Sequence, residues 1–213
     1  HRSLPMATIQ LSTNGLLPDR VLSLAKAALV KGTRLEIGVS LDGIGAAHDT
    51  VRGVQGNFEK TDYLLEQLLE LRQSYGDQLG IAVGIVLSEL TLSHLPQVRA
   101  YARDKDIVLT EAWYNESDFY ENRGTPYYSK GLIDAVNDQP PSPLREIWTR
   151  RLEGKSIAFP CFAVNTFCVL KCNGDIVPCL THWNRVAGNV RDSSPTLIWE
   201  SRRAQETRGL VKG

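Results

Sequence analysis

LEIGVSLDGIGAAHDTVRG, at residues 35–53, places a short apolar strand directly before a run of small and polar residues. Apolar residues alternate from Leu35 to Val39, which predicts a half-buried β-strand. Ser40, Asp42 and three glycines follow as the strand ends. A hydroxyl, a carboxylate and accessible backbone are thus brought to one place, as α/β proteins bring them to a ligand site.

The segments on either side alternate between strand-like and helix-like patterns. Strands are predicted at residues 8–11, 35–40, 81–87 and 107–109, with helices beginning near Pro18, Asn57 and Ser93. Because each connection is long enough to hold a helix, the strands are expected to be parallel and joined by right-handed crossovers. The sequence therefore predicts an α/β fold, with ligand residues at the carboxyl ends of the strands. Glu89, Glu111 and Asp118 are placed to enter such a site, but no catalytic acid or base is chosen.

Composition excludes several classes of protein. Lysine and arginine balance aspartate and glutamate at 24 each, so no overall field draws the chain to nucleic acid or to an anionic membrane. No apolar run approaches the roughly 20 residues of a membrane span, and no signal peptide is recognised. A cytoplasmic protein is predicted. The chain begins at His1 rather than at a methionine, and a fragment is expected.

The glycines after the second strand resemble the start of a dinucleotide fingerprint. His48 occupies the third glycine position and no helix pattern begins at Gly45, which argues against an NAD site. His48, Asp49 and Arg52 form either a solvated loop or an anion site, since arginine binds carboxylate or phosphate bidentately. Residue chemistry alone leaves these two interpretations equal.

A second domain is predicted after residue 155, giving domains at 1–155 and 156–213. The sequence there favours short strands, and Asn173-Gly174 is a strong hairpin signal. All four cysteines lie in this region, spaced by 6, 3 and 6 residues, at Cys161, Cys168, Cys172 and Cys179. Metal binding is favoured over disulfides in a cytoplasmic protein. A structural zinc site and ordinary buried thiols both stay open, with Cys161 and Cys179 as the preferred ligands.

Together these stretches resemble the radical S-adenosylmethionine enzymes that carry a carboxyl-terminal SPASM or twitch domain. The marks are STNG at residues 12–15, VSLDG at 39–43, HDTVRG at 48–53, and the C-x12-G-x4-C element from Cys161 to Cys179. The resemblance implies a partial (β/α)6 barrel from its third strand onward, followed by a small iron-sulfur domain that contains a β-hairpin.

Site residues follow from this resemblance. Ser40 and Arg52 correspond to residues that hold the ribose and methionine parts of S-adenosylmethionine, Asp42 shapes the same site, and Asn14 lies in its STNG motif. Cys161 and Cys179 match two ligands of an auxiliary iron-sulfur cluster, a chemistry natural for thiolates. Cys168 and Cys172 have no place in the pattern and stay unassigned.

The chain also departs from the family. The CxxxCxxC motif that binds the [4Fe-4S] cluster, and the glycine-rich GGE motif that grips methionine, are both absent. The resemblance implies that they lie upstream and that further SPASM cysteines lie downstream, so this chain alone is expected to be inactive.

In the intact enzyme, the resemblance implies a cluster that takes an electron from an external donor and reduces S-adenosylmethionine, yielding a 5'-deoxyadenosyl radical that abstracts a substrate hydrogen. The expected reaction is oxidation or crosslinking of a peptide or protein side chain. Two alternatives remain: dehydrogenation of a small-molecule substrate, a sugar or aminocyclitol, and a non-catalytic zinc-binding module.

Overall fold

The computed structural model describes residues 7–114, 119, 121, 130–138, 141, 143–153, 155 and 166–211. The chain forms two compact units that divide after Tyr114. The domain boundary predicted near Ser156 lies outside the described residues and stays a prediction. Among the described helices, none combines the length and apolar character that crossing a membrane requires.

The first unit is a parallel four-stranded sheet in which strands and helices alternate. Its strands occur in the order β1-β2-β3-β4, and every adjacent pair is parallel. The elements are β1 (Thr8–Thr13), α1 (Pro18–Leu29), β2 (Arg34–Ser40), α2 (Ala46–Arg52), α3 (Asn57–Tyr75), β3 (Leu79–Leu87), α4 (Leu95–Asp104) and β4 (Val108–Trp113). The predicted α/β fold with a parallel sheet is confirmed.

One face of this sheet is apolar and packs against helices. Helix α1 contacts β2, α3 contacts β3, and α4 contacts β3 and β4. The residues between them are almost wholly removed from solvent: Leu29, Ile37, Val39, Leu64, Leu65, Leu68, Val83, Ile85 and Val98. Burial of this continuous apolar layer is the main stabilising contribution to the unit.

The opposite face of the sheet carries small and polar residues. The strand register aligns Gln10 with Glu36 and Gly80, then Ser12 with Gly38 and Ala82, and then Ser40 with Gly84 and Thr110. Side chains alternate between the two faces of a strand, so the residues between the apolar positions all lie on this second face. Several of them have no side chain beyond a methyl group, which leaves room above the sheet.

The second unit contains a three-stranded antiparallel sheet and four helices among its described residues. The elements are α5 (Lys130–Asn137), α6 (Pro143–Leu152), β5 (Val169–Leu170), β6 (Asp175–Val177), β7 (Gly188–Asn189), α7 (Pro195–Glu200) and α8 (Arg202–Val211). Asn173 and Gly174 form the predicted hairpin turn between β5 and β6, where Gly174 has a φ of 94°. Ile176, Ala187, Ile198 and Ala204 form its buried core.

Three elements of the structure differ from the sequence prediction. Helix α2 was not predicted, and it begins at Ala46 although no helix pattern is visible there. Strand β4 begins at Val108 rather than Ile107, and it continues past the predicted strand end at Thr110 and Glu111 as far as Trp113. The sequence from Pro195 onward predicts one carboxyl-terminal helix, but the structure has two, because Ser201 has an extended ψ of 154° between α7 and α8.

Candidate functional site

Asp42 lies just beyond the end of β2 and connects three parts of the first unit. Its carboxylate accepts a hydrogen bond from the backbone N–H of Val86 at 3.1 Å, which joins it to β3. The other carboxylate oxygen is 2.7 Å from Nη2 of Arg52. Because Asp42 is only 5% exposed, this ion pair is shielded from solvent on the carboxylate side. Asp42 therefore holds α2 against the ends of two strands.

Arg52 is the last residue of α2, and its guanidinium is only partly engaged. Nη2 pairs with Asp42, whereas the Nε atom is buried and has no hydrogen-bond partner among the described residues. A buried donor without a partner costs free energy, so such groups commonly mark a place where a ligand or water completes the bonding. The geometry leaves Arg52 able to bind one more acceptor while it stays paired with Asp42.

His48 is wholly buried beneath this pair. Its Nδ1 atom accepts a hydrogen bond from the backbone N–H of Asp42 at 3.1 Å, so the neutral ring carries its proton on Nε2. Burial lowers the pKa of His48, and the nearby Arg52 charge lowers it further, although Asp42 and Asp49 act in the opposite direction. The imidazole is a neutral structural support for the Asp42 backbone.

Asp49 fixes the start of the long helix α3. Its two carboxylate oxygens accept hydrogen bonds from the backbone N–H groups of Gly56 at 2.7 Å and Phe58 at 2.8 Å. These are first-turn donors of α3, which have no partner within the helix. The bonds from Phe58 and Gly56 lower the pKa of Asp49. The HDTVRG segment is thus an ordered helix and cap rather than a solvated loop.

The predicted Ser40 and Asn14 occupy neighbouring strand ends. Ser40 is the last residue of β2, is half-buried, and is aligned with Gly84 of β3. Asn14 follows β1 and is exposed, and its side chain accepts a hydrogen bond from the N–H of Leu16. In the part of the chain that the structure describes, Asn14 makes no hydrogen bond to Asp42 or Arg52. The structure therefore joins Asp42 with Arg52 directly, and leaves Asn14 at the rim.

The three acidic residues expected near the site are placed differently from one another. Glu111 lies on the helix side of β4 and forms a bidentate ion pair with Arg99, at 2.7 and 2.8 Å, so it does not enter the site. Glu89 is exposed in the loop after β3. Asp118 lies outside the described residues.

The cysteine ligands predicted for an auxiliary cluster are only partly visible. Cys179 follows β6 closely, is half-buried, and is a free thiol. Cys161 lies outside the described residues. Cys168 and Cys172 are free and exposed. The described residues alone bring no three histidine, cysteine, aspartate or glutamate side chains together in a metal-binding group, so the ligand assignments stay predictions.

A cavity of about 190 Å³ lies on the polar face of the four-stranded sheet. Its lining includes Gln10, Ser12, Glu36, Gly38, Ser40 and Thr110. Glu36 and Gln10 were not singled out in the sequence. The alternating pattern of their strands is visible in the sequence. The sequence does not show which of the two strand faces would meet a ligand.

Comparison with known proteins gives one family match and two informative structural matches. Residues 161–212 match the SPASM model, an iron-sulfur cluster-binding domain. Native anSMEcpe with bound AdoMet and a Cp18Cys peptide superposes with a TM-score of 0.63 and 21% identity, over 96% of this chain and 60% of that one. Streptococcus suis SuiB superposes with a TM-score of 0.57 and 15% identity, over 94% and 50% of the two chains.

At these identities the structural matches establish the fold. The chain spans 60% and 50% of the two proteins it superposes on. No curated protein matches the sequence at a significant level.

Proposed function

Because this chain combines the fold of the radical S-adenosylmethionine enzymes with a SPASM domain, we propose that the full-length protein is a radical S-adenosylmethionine enzyme. We propose further that it oxidises or crosslinks a side chain of a peptide or protein. The observation that carries the proposal is the match of residues 161–212 to an iron-sulfur cluster-binding domain, in a chain whose first unit is a parallel α/β sheet.

The bonding state of Arg52 supports S-adenosylmethionine as the ligand of the first unit. Its buried Nε–H has no partner in the described part of the chain and is therefore left to donate to the carboxylate of the methionine part or to a ribose hydroxyl. Ser40 offers a hydroxyl at the neighbouring strand end. Asp42 keeps Arg52 oriented through the 2.7 Å ion pair, and His48 fixes the Asp42 backbone. These groups fit a polar, carboxylate-bearing ligand.

The chemistry would come from the cofactors: an iron-sulfur cluster supplies the electron that cleaves S-adenosylmethionine, and hydrogen abstraction from the substrate follows. The residues of this chain would bind and orient. Ser40, Asp42 and Arg52 would hold S-adenosylmethionine at the strand ends, so that the reacting carbon of the substrate meets it in a defined geometry.

Cys179 would serve as a ligand of an auxiliary cluster together with Cys161. Thiolates are the usual protein ligands of iron-sulfur clusters, so the donor chemistry fits. Cys179 directly follows Val177 and Pro178, which are both buried. A peptide substrate is preferred over a small molecule because one superposed structure contains a bound peptide.

The test is anaerobic reconstitution of the full-length protein with iron and sulfide, followed by reduction and quantification of 5'-deoxyadenosine and methionine. We expect both products. Arg52→Lys keeps the charge but loses the fork that bonds Asp42 and a ligand at once. The expected result is an apparent affinity for S-adenosylmethionine about tenfold weaker, the scale of one charge-assisted hydrogen bond.

Arg99→Lys is the matched control. Arg99 also binds a carboxylate through two nitrogens, but on the helix side of the sheet, so the same substitution should leave the affinity for S-adenosylmethionine unchanged. Absence of 5'-deoxyadenosine from a protein with full iron content would overturn the proposal.

A further inference from the structure

The lining of the cavity on the polar sheet face carries one negative charge. Glu36 is the single charged residue of the described lining, and no lysine, arginine or histidine accompanies it. Among the described residues Glu36 has no hydrogen-bond or ion-pair partner. A carboxylate in a concave site with low-dielectric walls focuses a negative potential there. The cavity is therefore suited to a cation.

The floor of the cavity has few side chains. Gly38 and Gly84 lie in adjacent strands, and a Cβ atom on either would lie 3.9 or 4.0 Å from the closest backbone oxygen, an ordinary contact distance. Larger residues would therefore fit the backbone but fill the space. The glycines keep a free volume in front of Glu36, whose Cγ would lie 3.4 Å from a Cβ placed on Gly80.

The cavity is a small depression that is open to solvent. About 190 Å³ is below the range of roughly 300–1,000 Å³ typical of sites for whole small molecules. It corresponds to the liquid volume of roughly six water molecules. One side chain of a substrate fits this space, which is open to solvent on one side.

Glu36 lies apart from Asp42 and Arg52, whereas Ser40, which is proposed to hold S-adenosylmethionine, also lines the cavity. Glu36 precedes Ser40 by four residues along β2, so their Cα atoms are roughly 13 Å apart. Asp42 and Arg52 lie beyond Ser40, at the carboxyl end of the strand. Around the cavity, Ser12, Ser40 and Thr110 offer hydroxyls, and Gln10 offers an amide oxygen beside Glu36. These acceptors suit the N–H groups of an ammonium or guanidinium ion.

We propose that Glu36, with Gln10, binds a positively charged side chain of the substrate, a primary ammonium or a guanidinium, in the cavity on the polar face of the sheet. That the cation belongs to a substrate rests on the proposed function. That the cavity binds a cation does not. Glu36 is thus a specificity residue for a lysine-like or arginine-like group, and it touches neither Asp42 nor Arg52.

The test uses this chain, labelled with ¹⁵N, without S-adenosylmethionine or cluster. Amide spectra are recorded during titration with n-butylammonium chloride and, at equal ionic strength, with neutral n-butanol. We expect butylammonium to shift the amide signals of Gly38, Ala82 and Gly84 and to bind about tenfold more tightly than butanol, because a charged donor strengthens the bond to a carboxylate. n-Butylguanidinium should behave like butylammonium.

Glu36→Gln should reduce butylammonium affinity to that of butanol. Glu89→Gln makes the same change in an exposed loop outside the cavity and should leave the affinity unchanged. Equal affinity for butylammonium and butanol in the unmodified chain would overturn the proposal even if the Glu36 variant failed to fold. So would shifts confined to residues away from the sheet face.

The outcome can be told apart from failure of the proposed function. Loss of cation selectivity with normal 5'-deoxyadenosine production would reject only the role of Glu36. Cation binding without 5'-deoxyadenosine production would reject the enzymatic function and leave the site standing. If S-adenosylmethionine shifted the same Gly38 and Gly84 signals and displaced butylammonium, the cavity would belong to the cofactor and the proposal would be wrong.

Discussion

His48 links the protonation state of one side chain to the position of Asp42. As a neutral ring it accepts the Asp42 backbone N–H through Nδ1, and protonation would remove that acceptor and place a second cation beside Arg52. The residue is wholly buried, so a charged ring could not be stabilised by water. Because folding lowers the pKa of His48, the free energy of unfolding depends on pH, as does the geometry of the site.

We expect stability to fall as the pH is lowered from 7.5 to 5.5. In the unfolded chain His48 takes up a proton near its ordinary pKa of about 6.5, whereas in the folded chain its pKa is lower, so acid favours unfolding across that interval. His48→Gln keeps an acceptor for Asp42 and cannot titrate. It should cost about 1–3 kcal/mol at pH 7.5 and should flatten the pH dependence.

The measurement is urea unfolding at several pH values, followed by circular dichroism. The free energy of unfolding of the Gln variant should change less between pH 7.5 and 5.5 than that of the unmodified chain. If the two proteins had parallel pH profiles, the pH dependence of stability would not come from His48, and the prediction would be wrong.

Among the elements, the long ones were predictable and the short α2 was not. The sequence predicts a cap at Asn57 followed by a helix as far as Tyr75, because leucines recur at helical spacing. In the structure Gly56 is the cap and Asn57 is the first helical residue, while the end at Tyr75 is as predicted. Helix α2 has seven residues and no apolar stripe. Its stability comes from Gly45 and Gly53, which have φ values of 59° and 67° at its two ends, and from tertiary contacts of Asp42 and Asp49.

The site followed the same division. Asp42 and Arg52 were predicted together because a motif carries them, although their direct ion pair was not foreseen. The burial of His48 and the location of Glu36 in the sheet cavity depend on which face of a helix or strand packs against the core. That information comes from tertiary structure, so one segment read alone left the histidine interpretation undecided.

Asp49 gives an element-level prediction through its cap of α3. Asp49→Asn keeps the size of the side chain but replaces one of two acceptor oxygens with a donor, so one of the bonds from Gly56 and Phe58 is lost. The urea midpoint at pH 7 should fall. Because the pKa of Asp49 is lowered by folding, its contribution is present above the ordinary pKa of 3.8 and is lost as the pH falls through the folded value.

The stabilities of the unmodified chain and the Asn variant should therefore begin to converge as the pH falls below about 3.8, and should become equal only below the lower pKa of the folded carboxyl group, where it is protonated. Urea midpoints measured from pH 7 to pH 3 check this expectation. A constant difference across the whole range would mean that the charge of Asp49 contributes nothing to the cap.

At the scale of the whole molecule, the residues proposed to hold the two cofactors lie in different units. The first contains the Asp42–Arg52 pair and the sheet cavity, and the second contains the segment that matches an iron-sulfur domain. Replacing Cys179, the proposed cluster ligand in the second unit, should therefore leave the proposed S-adenosylmethionine residues of the first unit intact.

Cys179→Ser in the reconstituted full-length protein should lower the bound iron by about four atoms per chain, the content of one [4Fe-4S] cluster. Cleavage of S-adenosylmethionine should continue, because Ser40, Asp42 and Arg52 are unchanged. Cys172→Ser is the control, since Cys172 is exposed and outside the C-x12-G-x4-C element. Iron content would be measured by plasma emission. Equal losses of iron in both variants would contradict the assignment of Cys179.

The glycine floor of the sheet cavity carries a cost in conformational stability. Glycine inside a strand is disfavoured by roughly 0.5–1 kcal/mol relative to alanine, and nothing obstructs a Cβ at Gly38 or Gly84. Gly84→Ala should therefore raise the free energy of unfolding by about that amount while weakening butylammonium binding, as urea unfolding and the amide titration would show. Gly38 and Gly84 thus leave available conformational stability unused and keep the space above the sheet open.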